Sequence, residues 1–162
     1  MLYFSVQELC VSGSYPKLVQ VPKQGTNEYR NVVTLIEKLL DPVREKLGKP
    51  IRVTSGYRPA ALNKAVGGAS NSNHLYGNAA DIHTGNDSTD NMLIVKSLLE
   101  LGIPYDECII EGAKFSASGE ITSAKWIHLA YRSGGNRMKL LWTSDFKTYN
   151  KVKVENKITI KK

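Results

Sequence analysis

One short stretch of this chain carries side chains suited to metal chemistry. In residues 70–83, Ser-Asn-Ser-Asn-His-Leu-Tyr-Gly-Asn-Ala-Ala-Asp-Ile-His, the imidazole of His74 precedes the carboxylate of Asp81 by seven positions. The interval contains one glycine and two alanines, which let backbone segments pack closely around an ion. Imidazole nitrogen and carboxylate oxygen are donors of a catalytic zinc site, which takes three protein ligands and leaves a fourth position for water.

A third ligand has to come from elsewhere in the chain, and His128 is the best candidate. It lies in the apolar run Lys-Trp-Ile-His-Leu-Ala-Tyr at residues 125–131, which is typical of a buried strand. His83 shares a strand face with Asp81, because side chains alternate along a strand; it is a rival ligand or a group behind the ligands. The alternative without metal is a hydrogen-bonded His–Asp pair at the surface.

The helices that position this stretch follow from the hydrophobic pattern. Apolar residues recur at intervals of three and four from Asn27 to Leu47, which predicts an amphipathic helix. Pro42 is expected to kink this helix after Asp41, and Gly48 to end it. Shorter helices are predicted at residues 5–9, after the turn at 55–59 through residue 66, and from a Ser88 cap towards residue 102.

The strands are predicted from apolar runs and alternation. In the strand predicted at residues 106–111, alternation places the side chains of Glu107, Ile109 and Glu111 on one face of the sheet. Residues 112–124 read as a polar loop, and the alternating tail around residues 155–157 as a hairpin with lysines on its open face. Core strands are predicted at 50–54, 79–83, 125–131, 106–111 and 138–142.

Composition limits the classes of protein. The 162 residues, 41% hydrophobic, fit one domain with a substantial core. We expect a catalytic domain at residues 1–144 and a basic tail at 145–162. The net charge of +7 favours an anionic partner, such as nucleic acid, an acidic membrane surface or a cell-wall polymer. Basic and aromatic residues are not interleaved as in a stacking platform, so we expect no nucleic-acid binding.

The remaining sequence-level expectations concern location and assembly. No segment has the length and apolar composition of a membrane span, so no membrane insertion is expected. The first residues lack a basic region followed by an apolar run. We therefore expect synthesis in the cytoplasm without a signal peptide, action on the cell wall after release, and a monomer.

Four motifs together resemble the zinc D-Ala-D-Ala carboxypeptidase family, which includes vancomycin-resistance dipeptidases and phage L-alanyl-D-glutamate endolysins. The likeness covers about residues 4–141 and is closest to the short single-domain members of bacteria and their phages. The motifs are Ser55-Gly56-Tyr57-Arg58, Leu62-Asn63-Lys64-Ala65-Val66-Gly67-Gly68, Ser72-x-His74-x-x-Gly77-x-Ala79-Ala80-Asp81 and Trp126-x-His128.

The resemblance implies an α+β fold of the hedgehog/D,D-peptidase type, a small antiparallel sheet flanked by helices. It implies one zinc ion held on the sheet by His74, Asp81 and His128. Arg58 matches an arginine that faces the substrate or the developing oxyanion, and Ser72 a serine near the substrate-binding groups. The implied reaction is metal-assisted amide hydrolysis, in which zinc lowers the pKa of a water to about 7 and polarises the carbonyl.

One position departs from the family pattern. Members commonly carry a general base as Glu three positions, or His two positions, before the last zinc ligand; this chain has Lys125 and Trp126 there. A lysine is normally protonated, and an indole offers no basic lone pair. We predict Glu111 as the base, because residues 106–111 resemble the Asp-Gln-Leu-Ile-Trp-Glu segment of the short members and their strand can pair with the His128 strand. The alternative is an exposed strand-end carboxylate. His83 and Glu107 are the weaker candidates.

Two functions follow from these residues. The first is a zinc peptidase, for example a prophage lysin, that hydrolyses peptidoglycan stem peptides or cross-links at D-amino-acid amide bonds, with the basic charge retaining it on an anionic wall. The second is a zinc-bearing cell-wall-binding module of the same fold that has lost turnover. The missing Glu or His before His128 is what leaves the second open.

Overall fold

The structure is a computed structural model that describes residues 1–85, 87–155 and 159–161. The helices are α1 (Asn27–Leu35), α2 (Asp41–Leu47), α3 (Ala60–Ala65) and α4 (Asn91–Leu101), with 3₁₀ turns at Pro16–Leu18 and Asn73–Tyr76 and a π-helical turn at Ile36–Leu40. The strands are β1 (Arg52–Ser55), β2 (Ala79–His83), β3 (Glu107–Glu111), β4 (Lys114–Phe115), β5 (Ile121–Ser123), β6 (Trp126–Ala130), β7 (Lys139–Thr143), β8 (Asn150–Lys151), β9 (Lys153–Glu155) and β10 (Thr159–Lys161).

The predicted α+β class is confirmed, with a six-stranded sheet in the order β1-β2-β6-β3-β7-β8. One pairing differs from the expected antiparallel sheet, because β3 and β7 are parallel. The loop after β6 returns the chain to the edge where β3 begins, so Lys139 lies opposite Glu107. β7 therefore runs in the same direction as β3.

One face of the sheet is covered by helices. The inward-pointing side chains of the three strands β2, β6 and β3 are fully buried, and they pack together with apolar residues of α1, α2 and α4. Burial of these aliphatic groups supplies the main favourable free energy of folding. On this face lie Ala80, Ile82, Cys108, Ile110, Ile127 and Leu129, each with 0% exposure.

The helix predicted for residues 27–47 is present and interrupted. The π-helical turn at 36–40 separates α1 from α2, and the Asp41 N–H donates to the Ile36 carbonyl. Pro42 is the second residue of α2; it has no N–H to donate, and its ring would clash with the carbonyl four residues earlier. The wider turn before Asp41 lets the chain pass the proline, and Gly48 ends α2 as expected.

Three local predictions were wrong. Residues 5–9 form a hydrogen-bonded turn rather than a helix, because only short-range backbone bonds such as Leu9 N–H to Val6 carbonyl form there. Ser88 does not cap α4; a turn intervenes, and the helix begins at Asn91. The polar loop 112–124 contains the β4–β5 hairpin, in which the buried side chain of Ile121 packs into the core.

The tail hairpin is present in the described residues as the antiparallel pair β9–β10, with Val154 opposite Ile160; residues 156–158 lie outside them. The segment before it joins the main sheet, because β8 pairs with β7. The division into residues 1–144 and 145–162 stays a prediction. Within the described ranges, no helix combines the length and apolar character that crossing a bilayer requires.

Candidate metal centre

Three side chains from separate parts of the chain meet on the open face of the sheet. Asp81 Oδ1 lies 2.9 Å from His128 Nδ1 and 3.3 Å from His74 Nε2. The two imidazole nitrogens are 3.2 Å apart. All three potential ligand atoms lie within 4.8 Å of one another. The structure therefore brings together His74, Asp81 and His128, the three residues predicted as metal ligands.

Strand register accounts for two of the three positions. Asp81 on β2 lies directly opposite His128 on β6, so their side chains project from the same face at adjacent points of the sheet. His74 comes from the 3₁₀ turn before β2. Ser72 caps that turn, its hydroxyl accepting the His74 N–H at 3.3 Å. A strand pair and a capped turn thus converge on one point.

The orientation of His74 depends on a backbone carbonyl that the sequence analysis did not identify. Its Nδ1 lies 2.7 Å from the Gly56 carbonyl oxygen; donation of that ring proton leaves the Nε2 lone pair directed at Asp81 and His128. A hydrogen bond at the second nitrogen is the usual way a metal-binding histidine is held in the correct tautomer. A Cβ at Gly56 would lie 2.1 Å from the Leu9 carbonyl oxygen, so only glycine fits here.

The charges of the cluster suit a cation. Burial by itself raises the pKa of Asp81, but the charges and hydrogen bonds of the two imidazoles outweigh it and hold the pKa well below its usual value. Burial lowers the pKa of His74. The pKa of His128 is raised, because its hydrogen bond to Asp81 and the surrounding carboxylates outweigh the burial that would lower it. A metal ion bound here would compete with protons for these nitrogen and oxygen atoms.

The cluster fits zinc in donor type and spacing. Zinc takes histidine nitrogen and carboxylate oxygen at about 2.0–2.2 Å in a tetrahedral arrangement, which places neighbouring ligand atoms about 3.3 Å apart. The three measured separations are 2.9, 3.2 and 3.3 Å. Two neutral nitrogens and one carboxylate also match the ligand set of catalytic rather than closed structural sites.

The cluster lies in a cleft of about 660 Å³ that also contains Arg58 and Glu111. The Arg58 N–H donates to the His74 carbonyl at 3.0 Å, and its side chain is directed into the cleft, where Nε has no hydrogen-bond partner among the described residues. Burial lowers the pKa of Arg58, opposed by the Asp81 charge. Its guanidinium is thus available to an anionic group of a ligand.

Glu111 is buried in the cleft wall, with 8% exposure. Its strand pairs with the His128 strand, as predicted, and Glu111 lies opposite Trp126. Its Oε2 atom is buried without a hydrogen-bond partner in the described structure. Burial first, then the charges of Asp81 and Glu107, raises the pKa of Glu111 to about 7, while His128 opposes the shift. This carboxyl group is not the exposed strand-end residue of the alternative interpretation.

The other candidates differ in position. His83 lies outside the three-residue cluster; its Nδ1 lies 2.8 Å from the Gly85 carbonyl oxygen and 3.1 Å from the Gly85 nitrogen, so the structure does not support it as a rival ligand. Glu107 lines the cleft, with Oε2 3.9 Å from His128 Nε2. Ser72 also lines it, beside its capping role. Lys125 Nζ lies over the Trp126 ring, 5.5 Å from its centroid.

A charged network at one end of the cleft was not predicted. Asp106 is fully buried and accepts hydrogen bonds from Arg137 Nε at 2.8 Å and Nη2 at 2.6 Å. Arg132 Nε lies 3.1 Å from the same carboxylate, and Asn73 Nδ2 donates to it at 3.2 Å. Since Asn73 precedes His74, the network helps to fix the 3₁₀ turn that carries His74. The sequence signal that could have revealed this network is the position of Asp106, directly before an apolar strand.

Comparisons with known proteins agree with this site. The Peptidase M15 family model matches residues 3–130. The chain is 51% identical over 47 residues to a zinc D-Ala-D-Ala carboxypeptidase of Streptomyces albus G, a match that covers 28% of this chain and 18% of the length of that enzyme. The match to the family model confirms the family predicted from the motifs.

Proposed function

This chain belongs to the Peptidase M15 family, and we propose that it is a zinc-dependent peptidase that hydrolyses peptidoglycan peptides at amide bonds next to D-amino acids. The observation that carries the proposal is the convergence of His74, Asp81 and His128 in an open cleft, beside a buried carboxyl group with one oxygen that has no hydrogen-bond partner among the described residues. The name of the carboxypeptidase relative, which specifies D-Ala-D-Ala, supports the substrate class.

The roles of the residues follow from their positions. His74, Asp81 and His128 would hold zinc, which when bound supplies a water of lowered pKa and polarises the scissile carbonyl. Glu111 accepts a proton from the attacking water and returns it to the leaving amine; its pKa of about 7 suits both transfers near neutral pH. Arg58 stabilises negative charge on the carbonyl oxygen or clamps a terminal carboxylate through its planar fork.

The net charge of the chain and its expected site of action fit the same substrate. The net charge of +7 favours retention on an anionic wall polymer, and this chain would act there once it reaches the wall. A binding module without turnover is the second candidate, because Lys125 and Trp126 occupy the positions where relatives commonly carry the base. Glu111 supplies the carboxylate that such a module would lack.

Hydrolysis of purified peptidoglycan tests the proposal. New amino groups or free D-Ala should appear with the zinc-loaded protein, stop with a chelator and return with added zinc. A soluble peptide ending in D-Ala-D-Ala should be cleaved, and a matched peptide ending in L-Ala-L-Ala should not. Retention on peptidoglycan without cleavage would favour the binding module. If the protein is neither retained on peptidoglycan nor able to cleave it, both candidate functions are overturned.

A further inference from the structure

The segment after β7 forms a wall of the cleft although it lies beyond residue 130, where the family match ends. Phe146 and Tyr149 line the cleft that contains the metal cluster and Glu111. Both rings are large and apolar, and both remain exposed, Phe146 at 41% and Tyr149 at 48%. Exposed aromatic rings in a concave site are typical of ligand contact.

The backbone around these rings is fixed by a dense set of hydrogen bonds. Asp145 Oδ1 accepts the backbone N–H groups of Lys147 and Thr148 at 2.9 and 2.8 Å, and Thr143 Oγ1 donates to it at 3.0 Å. Directly after Tyr149, Asn150 pairs with Trp142 on the sheet edge. The turn is thus anchored at both ends to the sheet that carries the metal cluster.

Phe146 itself adopts a backbone conformation that bulky residues avoid. Its φ is +60°, in the left-handed region that costs a non-glycine residue free energy. Its ring stacks on Trp126, with centroids 5.1 Å apart and planes at 10°. Gly112 makes room for it, since a Cβ there would lie 3.1 Å from Phe146 Cζ. A strained turn, a glycine and an indole thus combine to present one ring to the cleft.

The cleft has different chemistry at its two ends. β3 runs from Glu107, which lies near Arg137, to Glu111, which lies opposite Trp126. The two residues are four positions apart along the strand, which corresponds to about 13 Å. His128 lies opposite the midpoint of β3. A peptide lying along the cleft therefore meets guanidinium groups on one side of the metal cluster and aromatic rings on the other.

We propose that Phe146, Tyr149 and Trp126 form a specificity-determining subsite for apolar side chains of the substrate. The subsite lies on the side of the scissile bond that is away from Arg132 and Arg137. The proposal rests on the proposed function, because it assumes a peptide substrate that spans the metal cluster. It predicts that a stem pentapeptide ending in D-Ala-D-Ala reaches the aromatic wall, whereas the dipeptide D-Ala-D-Ala does not.

The test compares these two peptides in the zinc-loaded protein of 162 residues. Phe146→Gly removes the ring and keeps a residue that favours positive φ, and Tyr149→Ala removes the second ring. Each is expected to lower kcat/KM for the pentapeptide about tenfold, through KM, and to change it less than about twofold for the dipeptide. Tyr149→Phe should retain the wild-type value, because the ring rather than the hydroxyl makes the contact.

Controls separate contact from folding. Tyr15→Ala removes an aromatic ring of similar exposure, 41%, outside the cleft and should leave both peptides unaffected. Zinc content and thermal stability are measured for every variant. Unchanged pentapeptide kinetics, an equal loss for both peptides through kcat, or a loss in Tyr149→Phe as large as in Tyr149→Ala would overturn the subsite.

A binding measurement keeps the subsite testable if the proposed function fails. Isothermal titration of the metal-free protein with the pentapeptide reports contact without turnover. Absence of hydrolysis by the wild type would overturn the proposed function, whereas about tenfold weaker binding by Phe146→Gly would still support the subsite. Equal Kd values for wild type and variant, or no binding by either, would overturn the subsite whatever the hydrolysis assay gives.

Discussion

The helix-covered face and the open face of the six-stranded sheet are built from the same strands and do different work. On β2, Ala80 and Ile82 point into the helices with no exposed surface, while Asp81 between them points to the metal cluster. On β6, Ile127 and Leu129 flank His128 in the same way. Side chains alternate at every residue, so a functional group never lies more than one residue from a core group.

The two faces also differ in how they treat polar groups. The covered face gains stability by removing aliphatic surface from water. The open face holds the Glu111 carboxyl group, one oxygen of which has no hydrogen-bond partner in the described part of the chain. Beside it, the backbone of Phe146 lies in the left-handed region. Both features cost free energy, so the covered face must offset them. Substitutions on the two faces should therefore separate turnover from stability.

The largest effect on turnover is expected from His128→Ala. Removal of one of the three ligands should lower zinc affinity and reduce peptide hydrolysis about 10⁴-fold or more, while the metal-free protein stays folded. Zinc content by mass spectrometry and hydrolysis of the D-Ala-D-Ala peptide measure it. His83→Ala, on the same sheet but outside the cluster, is the matched control. One zinc per chain and a normal rate in His128→Ala would refute the assigned ligand set.

A smaller loss of turnover, together with a gain in stability, is expected from Glu111→Gln. The rate should fall about 10²–10⁴-fold with zinc content unchanged. Glu107→Gln is the control, and a larger loss there would reassign the base.

The stability part of the Glu111 prediction has a defined pH dependence. Because burial raises the pKa of Glu111 from 4.5 to about 7 in the folded protein, its favourable contribution is complete below pH 4.5 and is lost as pH rises through 7. Glutamine avoids that loss. The metal-free Glu111→Gln protein should therefore be about 1–3 kcal/mol more stable than wild type at pH 8 and similar at pH 4. Urea unfolding at both pH values measures this difference in the free energy of unfolding. The difference should be larger at pH 8 than at pH 4.

The smallest effect on turnover is expected from Ile82→Ala on the covered face, one residue from Asp81. It should destabilise the protein by about 2–5 kcal/mol through a buried cavity and leave zinc content and the rate per folded molecule nearly unchanged. Denaturant unfolding and active-site titration measure the two quantities. Val154→Ala, at an exposed position, should change stability by less than about 0.5 kcal/mol. A loss of turnover in Ile82→Ala comparable to that of Glu111→Gln would show that the faces are not independent.

Local pattern was sufficient for much of the fold and for naming candidate metal ligands, while the resemblance to a known family selected the ligand set among them. Alternation predicted β2 at residues 79–83, and three-four spacing predicted the helix from Asn27 to Leu47, because both signals lie within one segment. His74 and Asp81 stand in one short motif, and the strand pattern around His128 is equally local. The choice of Glu111 drew on a predicted pairing of two strands, which the structure contains.

Tertiary structure alone decided the features that join distant segments. The parallel pairing of β3 with β7 depends on where the loop after β6 returns the chain. The contact between the Gly56 carbonyl and His74 requires glycine at position 56, because the nearby Leu9 backbone leaves no room for a Cβ there. Phe146 faces the cleft because its turn is anchored to the sheet edge and its ring stacks on Trp126. Such contacts depend on chain path and packing, which a period of two or 3.6 residues does not encode.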